Sequence, residues 1–395
     1  MALTAIDDAL HEILSDAKTL VETQRVALAD ALRRVIAADE FSNIDVPPAD
    51  NSAMDGYALR AEDAYKPLRV AQRITAGSVG AALEPGTAAR IFTGANLPEG
   101  ADAVVMQENC VVDNDAMLTI QGGVCKGDNV RPRGQDIHIG QRLVARGQQL
   151  RAADVALLAG SGKTEVMVFR RLRVALLSTG DELVEPGSEL LPGQIYNSNR
   201  FLLRGMLAEL GCEVIDCGSV ADTAEATCAA LERASVNADC IISTGGVSAG
   251  EEDHVRTQLE LHGELRLWKL NIKPGKPLAY GRFRGVPFFG LPGNPISAFV
   301  TFLLVAQPYL KRMQGCTQVD LAEISLPALF DWPRPGTRQE YLRARITEKD
   351  KQYGVEIYSN QSSGVLSSAA WANALVVVSP GQKILRGDSV RVILI

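Results

Sequence analysis

The stretch "CIISTGGVSAGEEDH", Cys240–His254, poses the question on which the fold turns. Its first half is a short apolar run closed by Gly-Gly, the composition of a strand buried on both faces in a parallel sheet. Gly245 and Gly246 let the backbone turn tightly and come close to a ligand. A loop of this kind before a helix start offers free N–H groups to an anion. Glu251, Glu252 and Asp253 then repel a phosphate unless a cation sits between them.

The surrounding rhythm supports that reading. From Leu172 onward, "LRVALLSTG" reads as strand and "SNRFLLRGMLAELG" as helix stopped by Gly211. "CEVIDCG" is strand, "TAEATCAALERAS" helix, "DCIISTGG" strand and "EDHVRTQLELHG" helix. "LRLWKLNI" follows as strand and "ISAFVTFLLVAQPYLKRM" as a long buried helix. Strands alternating with helices imply a parallel sheet with right-handed crossovers. Ligands bind such sheets beyond the carboxyl ends of the strands. The loops of interest are therefore "STGDEL", "GSVADT" and "STGGVSAGEED".

Upstream, Ile6, Ala9, Leu10, Ile13, Leu14 and Ala17 fall on one helical face, and Thr4 with Asp7 resembles a capping box. Ala31, Leu32, Val35 and Ile36 predict a second helix ending near Ala38. From about residue 45 to 145 the chain is rich in Gly, Pro, Asn and Asp with short alternating runs, which predicts β-rich, loop-rich structure. "RAADVALLAGSG" returns to helix with Gly160 placed to stop it. After Gly315 apolar and polar residues alternate around Pro and Gly turns, which predicts a small β-barrel or sandwich of about 80 residues.

The totals bound the class. A chain of 395 residues is too long for one core, so several domains are expected. A net charge of −7 with no long basic stripe argues against nucleic acid as partner. The N-terminus has acids and no basic region before its apolar run, so it does not read as a signal peptide. Ile296–Ala306 is too short to span a bilayer, so no membrane is expected. Seven cysteines, an odd number without CxxC spacing, read as small hydrophobes in a reducing cytoplasm.

Acids recur on three strand-exit loops: Asp181 and Glu182, then Asp222, then Glu251, Glu252 and Asp253. A single acid at such a place is most simply a helix cap. Three loops opening on one rim instead suit converging ligands for Mg²⁺, which shares its shell between carboxylates, water and phosphate. "NIKPGKPLAY" sets Lys273 and Lys276 on a turn stiffened by two prolines, poised for an oxyanion or simply solvated. "GLPGNPISAF" opens the long helix, where Asn294 and the amides of Ile296 and Ser297 either face an anion or only start the helix. "VRPRGQDIHIG" groups Arg131, Arg133 and Asp136 in a polar turn-rich segment. His138 and His254, each without a visible partner, read as structural or exposed.

In this order "NSAMDGYALR", "TGANLPEGADAVVMQE", "RPRGQDI", "STGDEL", "STGGVSAGEEDH", "KPGKP" and "LPGNP" resemble the motifs of MoeA-type molybdopterin molybdenumtransferases, to which the E domain of gephyrin is related. The resemblance covers nearly the whole chain. It implies a multidomain α/β plus β fold and an elongated homodimer. A discontinuous dimerisation domain occupies residues 1–45 and 140–170, with a β-rich lobe inserted at 46–139. A three-layer α/β molybdopterin-binding domain spans 171–316 and a C-terminal β-barrel 317–395.

The resemblance also implies a reaction. Adenylylated molybdopterin and molybdate are substrates, Mg²⁺ is the cofactor, and molybdenum joins the dithiolene as AMP is released. By similarity, Asp222 and Asp253 match magnesium and substrate acids, and Glu182 matches the acid of the "TGDE" loop. Asp55, Thr93 and Asp136 match functional positions in the lobe that a partner subunit brings to the cleft. Substrate contacts implied for the α/β domain are Thr179, Gly180, Ser243, Gly245, Gly246, Ser248, Lys273, Lys276, Pro292, Asn294 and Pro295. Arg131 and Arg133 are implied from the lobe. The adenylyltransferase and molybdoenzyme apoproteins are implied partners. Pro132 stands where another Arg can occur, and Thr223 where a second acid can stand. The sister activity, adenylylation of molybdopterin, shares only the α/β module, and the regions before and after it count against that alternative. A gephyrin-like scaffold without activity would not need the Asp and Lys loops that are present here.

Overall fold

The computed structural model describes residues 3–19, 22–245, 254–349 and 351–395. At its centre is a six-stranded sheet in the order Glu213–Val220, Arg173–Thr179, Cys240–Thr244, Val286–Leu291, Pro277–Phe283 and Gly263–Lys269. The first four strands are parallel and the last two antiparallel. The expectation of a wholly parallel sheet is corrected at this edge. Arg284 and Gly285, both at positive φ, make a two-residue turn between Phe283 and Val286, and so short a link leaves only the antiparallel hairpin.

Alternation along the strands sorts their side chains between two cores. Val174, Leu176, Ile242, Phe289 and Leu291 pack with helix residues Leu203, Leu207, Phe302 and Leu310, and with Ile6 and Ile13 of the first helix. Ala175, Leu177, Ile241 and Phe288 pack on the opposite face with Leu231, Ala234, Val255 and Leu259. The result is a three-layer α/β/α unit. Its long helix is interrupted. Pro295–Thr301 and Gln307–Met313 are α-helical, and the Phe302–Ala306 segment between them is a π-turn in which the Gln307 N–H donates to the Phe302 carbonyl. Pro308 has no N–H to continue the α-helical pattern, and proline commonly accompanies such an interruption.

The β-rich lobe is a six-stranded sheet running from Gly56 to Ile120, with a small core on each face. Thr23–Ala27 pairs with Glu165–Phe169, and Glu40–Phe41 with Arg142–Val144, so segments before and after the lobe fold together. The C-terminal strands Glu323–Pro327, Gln339–Lys349, Gln352–Ile357, Ala374–Val378 and Ser389–Leu394 form a curled sheet that an Ala328–Val355 bridge closes into a small barrel.

Two local expectations fail. Residues 31–38 are not a helix: a 3-10 turn at Leu28–Asp30 is followed by extended chain whose Val35 and Ile36 bridge Gln149 and Val168. The helical spacing of those apolar residues is overridden by pairing across the module. The first helix, Ile6–Asp16, starts without a side-chain cap, because its N-cap residue is Ala5, which has no acceptor, and Thr4 lies one residue earlier in a backbone bridge with Leu270. Among the described residues no helix is long and apolar enough to cross a membrane.

Candidate functional site

A cleft of about 450 Å³ lies at the carboxyl ends of the parallel strands, where a switched sheet of this kind opens for a ligand. Its walls include Thr179 and Glu182 from one strand exit, Thr244 and Gly245 from the next, Asn199 at the start of helix Ser198–Glu209, and Pro277 and Pro292–Pro295. Gly245 has φ +86°, and a Cβ there would stand 2.4 Å from the Thr179 carbonyl oxygen, so only glycine lets the two exits approach. Gly180, at φ +144°, brings its backbone against the Glu182 carboxylate, 2.6 Å from where a Cβ would be.

The floor of the cleft is polar and under-satisfied. Thr179, which lines the cleft, and Ser178 and Ser243, in the strands that lead to it, are at most 5% exposed, yet their hydroxyl oxygens have no hydrogen-bond partner among the described residues. Buried polar atoms are normally paired, so atoms left open beside a cleft are suited to a bound ligand. Asn199 was not picked out from the sequence. Its Nδ2 donates to Thr244 Oγ1 at 2.9 Å and to the Gly293 carbonyl at 2.7 Å, tying the strand exit to the "LPGNP" loop. Its Oδ1 is buried and unpaired among the described residues. The signal was the polar run "NSN" at a helix start on the rim.

The rim acids separate by role. Asp222 does not cap helix Ala224–Asn237, because Thr223 Oγ1 accepts the Ala226 N–H at 3.2 Å. This gives a local reason for threonine where a second acid can stand. The Asp222 N–H donates to Asp181 Oδ1 at 3.2 Å, bringing two of the three acidic loops together. Gly246, Ser248, Glu251, Glu252 and Asp253 lie outside the described residues. Among the described residues no three His, Cys, Asp or Glu side chains form a ready metal cluster.

The lysine turn and the helix start are also differentiated. Lys273 donates to Glu340 Oε1 at 3.2 Å, whereas the exposed Lys276 makes no ion pair among the described residues. The expected free amide at Ile296 is corrected: its N–H donates to the Ser363 carbonyl at 3.0 Å. Asn294 is the first residue before the helix and makes no side-chain cap bond.

The lobe motifs meet one another. Asn51–Ser52 pairs with Val130–Arg131, and the Ser52 carbonyl accepts the Gly94 N–H at 2.8 Å. Asp55 accepts from the backbone N–H and the hydroxyl of Thr93, both at 2.8 Å, and these bonds hold its carboxyl below the usual range. Arg133 is paired with Asp45 at 2.5 Å, and its N–H donates to Asp50. Arg131 and Asp136 are exposed, and Arg131 makes no ion pair among the described residues. Among the described residues no lobe residue lines the cleft of its own chain. His138 is exposed, 4.0 Å from Asp45, and His254 opens helix His254–His262. Burial pushes the Cys212 thiol up to about 12 and that of Cys316 up to about 11, which is the behaviour of packing residues.

Comparison with known proteins follows the same division. Residues 4–162 match the MoeA N-terminal region (domain I and II), 175–312 a probable molybdopterin binding domain, and 325–395 the MoeA C-terminal region (domain IV). A molybdopterin molybdenumtransferase of Haemophilus influenzae is 42% identical over 80% of this chain and 79% of its own. One of Bacillus subtilis is 32% identical over 99% and 94%. The structure of a molybdopterin biosynthesis MoeA protein from Pyrococcus horikoshii OT3 covers 100% of both chains with a TM-score of 0.84 at 29% identity. With its strand-exit cleft, its lobe and its barrel all matched along the chain, this protein belongs to the MoeA family of molybdopterin molybdenumtransferases.

Proposed function

We propose that this chain is a molybdopterin molybdenumtransferase that inserts molybdate into adenylylated molybdopterin and releases AMP. The observation that carries the reading is the strand-exit cleft, whose lining residues Thr179 and Asn199 hold buried oxygens unpaired among the described residues, with the Asp181 and Asp222 loops joined to each other at the same strand ends. Hydroxyls can donate to phosphate oxygens, and the Asn199 carbonyl can accept an N–H from a heterocycle. The flanking prolines of "LPGNP" hold the mouth of the cleft open at little entropic cost.

Asp222 and Asp181 would provide hard carboxylate oxygens from two joined loops at the strand ends, and Asp222 is not engaged as a cap, so this part of the donor set fits Mg²⁺. Bound Mg²⁺ supplies positive charge against the developing charge of a transferring or departing phosphate. Lys276, beside Pro277 of the cleft, attracts the molybdate dianion, and Glu182 orients the "TGDE" loop across the floor. Asp253 completes the acid set in this reading. The Asp55, Thr93, Asp136 and Arg131 surface acts in trans: a homodimer places one lobe over the cleft of the second copy, in keeping with a cleft that, among the described residues, takes no wall from its own lobe. The enzyme works in the cytoplasm and hands its product on to molybdoenzyme apoproteins, receiving substrate from the adenylyltransferase.

The test is direct. Purified protein with Mg²⁺ and adenylylated molybdopterin is expected to release AMP only when molybdate is added. Release that ignores molybdate, or none at all, would remove the proposal.

A further inference from the structure

Lys273 lies in the two-residue strand Ile272–Lys273, which adds in parallel to the barrel strand Gln339–Lys349 with Lys273 opposite Glu340. The Lys273 ammonium donates to Glu340 Oε1, and the same oxygen accepts the Gly336 N–H, both at 3.2 Å. The Glu340 side chain is only 2% exposed, and its Oε2 is buried with no hydrogen-bond partner among the described residues. A carboxylate so placed depends on its cation, because removing one member of such a pair strands the other charge. Two more bonds fasten the junction: Arg338 donates to the Ile272 carbonyl at 2.9 Å, and the Gln339 N–H to that of Asn271 at 3.1 Å. On its other side the turn is closed by the Leu270 N–H donating to the Lys276 carbonyl at 2.7 Å, and Pro277 then lines the cleft. Among the described residues no barrel residue lines the cleft, and the barrel meets the cleft wall through this turn and through the Ser363 carbonyl, which accepts the Ile296 N–H beside Pro295.

We infer that Glu340 is a positioning residue. From the C-terminal barrel it binds and neutralises Lys273, makes that lysine the anchor of the turn, and thereby sets Lys276 at the cleft as the cation that meets the oxyanion. The two lysines of one motif have different work, divided by a carboxylate distant in sequence. This rests on the function proposed above for its kinetic readout only.

Glu340→Ala, Lys273→Ala and the double variant separate the possibilities. Glu340→Ala is expected to raise the half-saturating molybdate concentration about tenfold or more, as a displaced binding group does. The double variant is expected to be no worse than the poorer single variant, because the pair acts as a unit. Multiplying losses, or an unchanged molybdate dependence in Glu340→Ala, would overturn the assignment. Glu340→Gln keeps the shape without the charge and serves where the alanine variant does not fold. A readout independent of activity is acetylation of intact protein by acetic anhydride, followed residue by residue by mass spectrometry. Lys273 is expected to react about two- to fivefold faster in Glu340→Gln, the range for loss of a half-exposed ion pair, with Lys276 unchanged. Equal Lys273 rates in parent and variant overturn the inference even if the parent shows no molybdate-dependent AMP release. A faster rate in such a parent sustains the pair while the functional proposal fails.

Discussion

At position 222 one carboxylate could cap the helix Ala224–Asn237 or serve the rim of the cleft. Thr223 takes the capping role through its bond to the Ala226 N–H, which leaves Asp222 for the rim. Asp222→Asn is therefore expected to melt like the parent. Its rate of AMP release should fall about a hundredfold or more, the scale of losing metal-borne charge stabilisation. Comparing thermal melts with turnover at limiting Mg²⁺ checks this. A stability loss with parental turnover would make Asp222 structural. Asp239 is a contrasting acid. Burial raises its carboxyl, but two bonds from Arg170 at 2.7 and 2.9 Å and one from the Arg173 N–H at 2.7 Å outweigh it, so its pKa is lowered. A lowered folded-state pKa gives stability that is present above the unfolded value near 4 and is lost as pH falls through the folded value. Asp239→Asn is expected to cost about 3 kcal/mol at neutral pH, with the difference from the parent shrinking below about pH 4. Denaturant melts at pH 7 and pH 3 check both parts.

At the scale of elements, the antiparallel edge of the central sheet is held by aromatic packing. The Phe289 ring lies 5.0 Å from those of Tyr280 and Tyr309, and Tyr280 also donates to Asp16 at the end of the first helix. The hairpin, the long helix and the N-terminal helix therefore share one core. Phe289→Ala leaves a cavity there and is expected to cost about 3–5 kcal/mol, seen as a lower unfolding midpoint. Tyr280 and Tyr309 fluorescence should change in the same transition as the far-ultraviolet signal. Separate transitions would mean that the N-terminal helix is independent of the sheet. The π-turn at Phe302–Ala306 belongs to the same core and keeps all five of its side chains buried despite Pro308.

For the whole molecule, the lobe gathers Asp55, Thr93 and Arg131 on one surface, while the described residues that wall the cleft fall between 179 and 295. A second copy would join them. An equal mixture of Asp55→Ala and Asp222→Ala chains, each inactive alone, is expected to recover about a quarter of parental AMP release. That is the share expected when chains pair at random and one of the two sites in each mixed dimer is intact. Light scattering on the same samples should report dimers. A monomer with full turnover would exclude assembly in trans.

The α/β rhythm from Leu172 onward was legible because period and punctuation agreed. Buried strands read as apolar runs, helices as 3.6-residue patterns, and Gly211 ended one where its φ of +79° requires. The Gly-Gly exit, the Pro-Gly lysine turn and the acidic loops were also visible, since turn residues and charges mark loops without knowledge of their neighbours. The segment at 31–38 was not, because its helical spacing was outweighed by extended pairing with Gln149 and Val168, far along the chain. The same limit held at the site. Lysines at 273 and 276 look equivalent in sequence, and only contact with Glu340 distinguishes them. Asn199 gained a place in the cleft from two bonds to residues 45 and 94 positions away. Local chemistry thus determined the elements and the candidate residues. Which charges are neutralised, which amides are spent and which oxygens stay open was decided by the tertiary structure, because hydrogen bonds and ion pairs depend on distances that sequence separation does not encode.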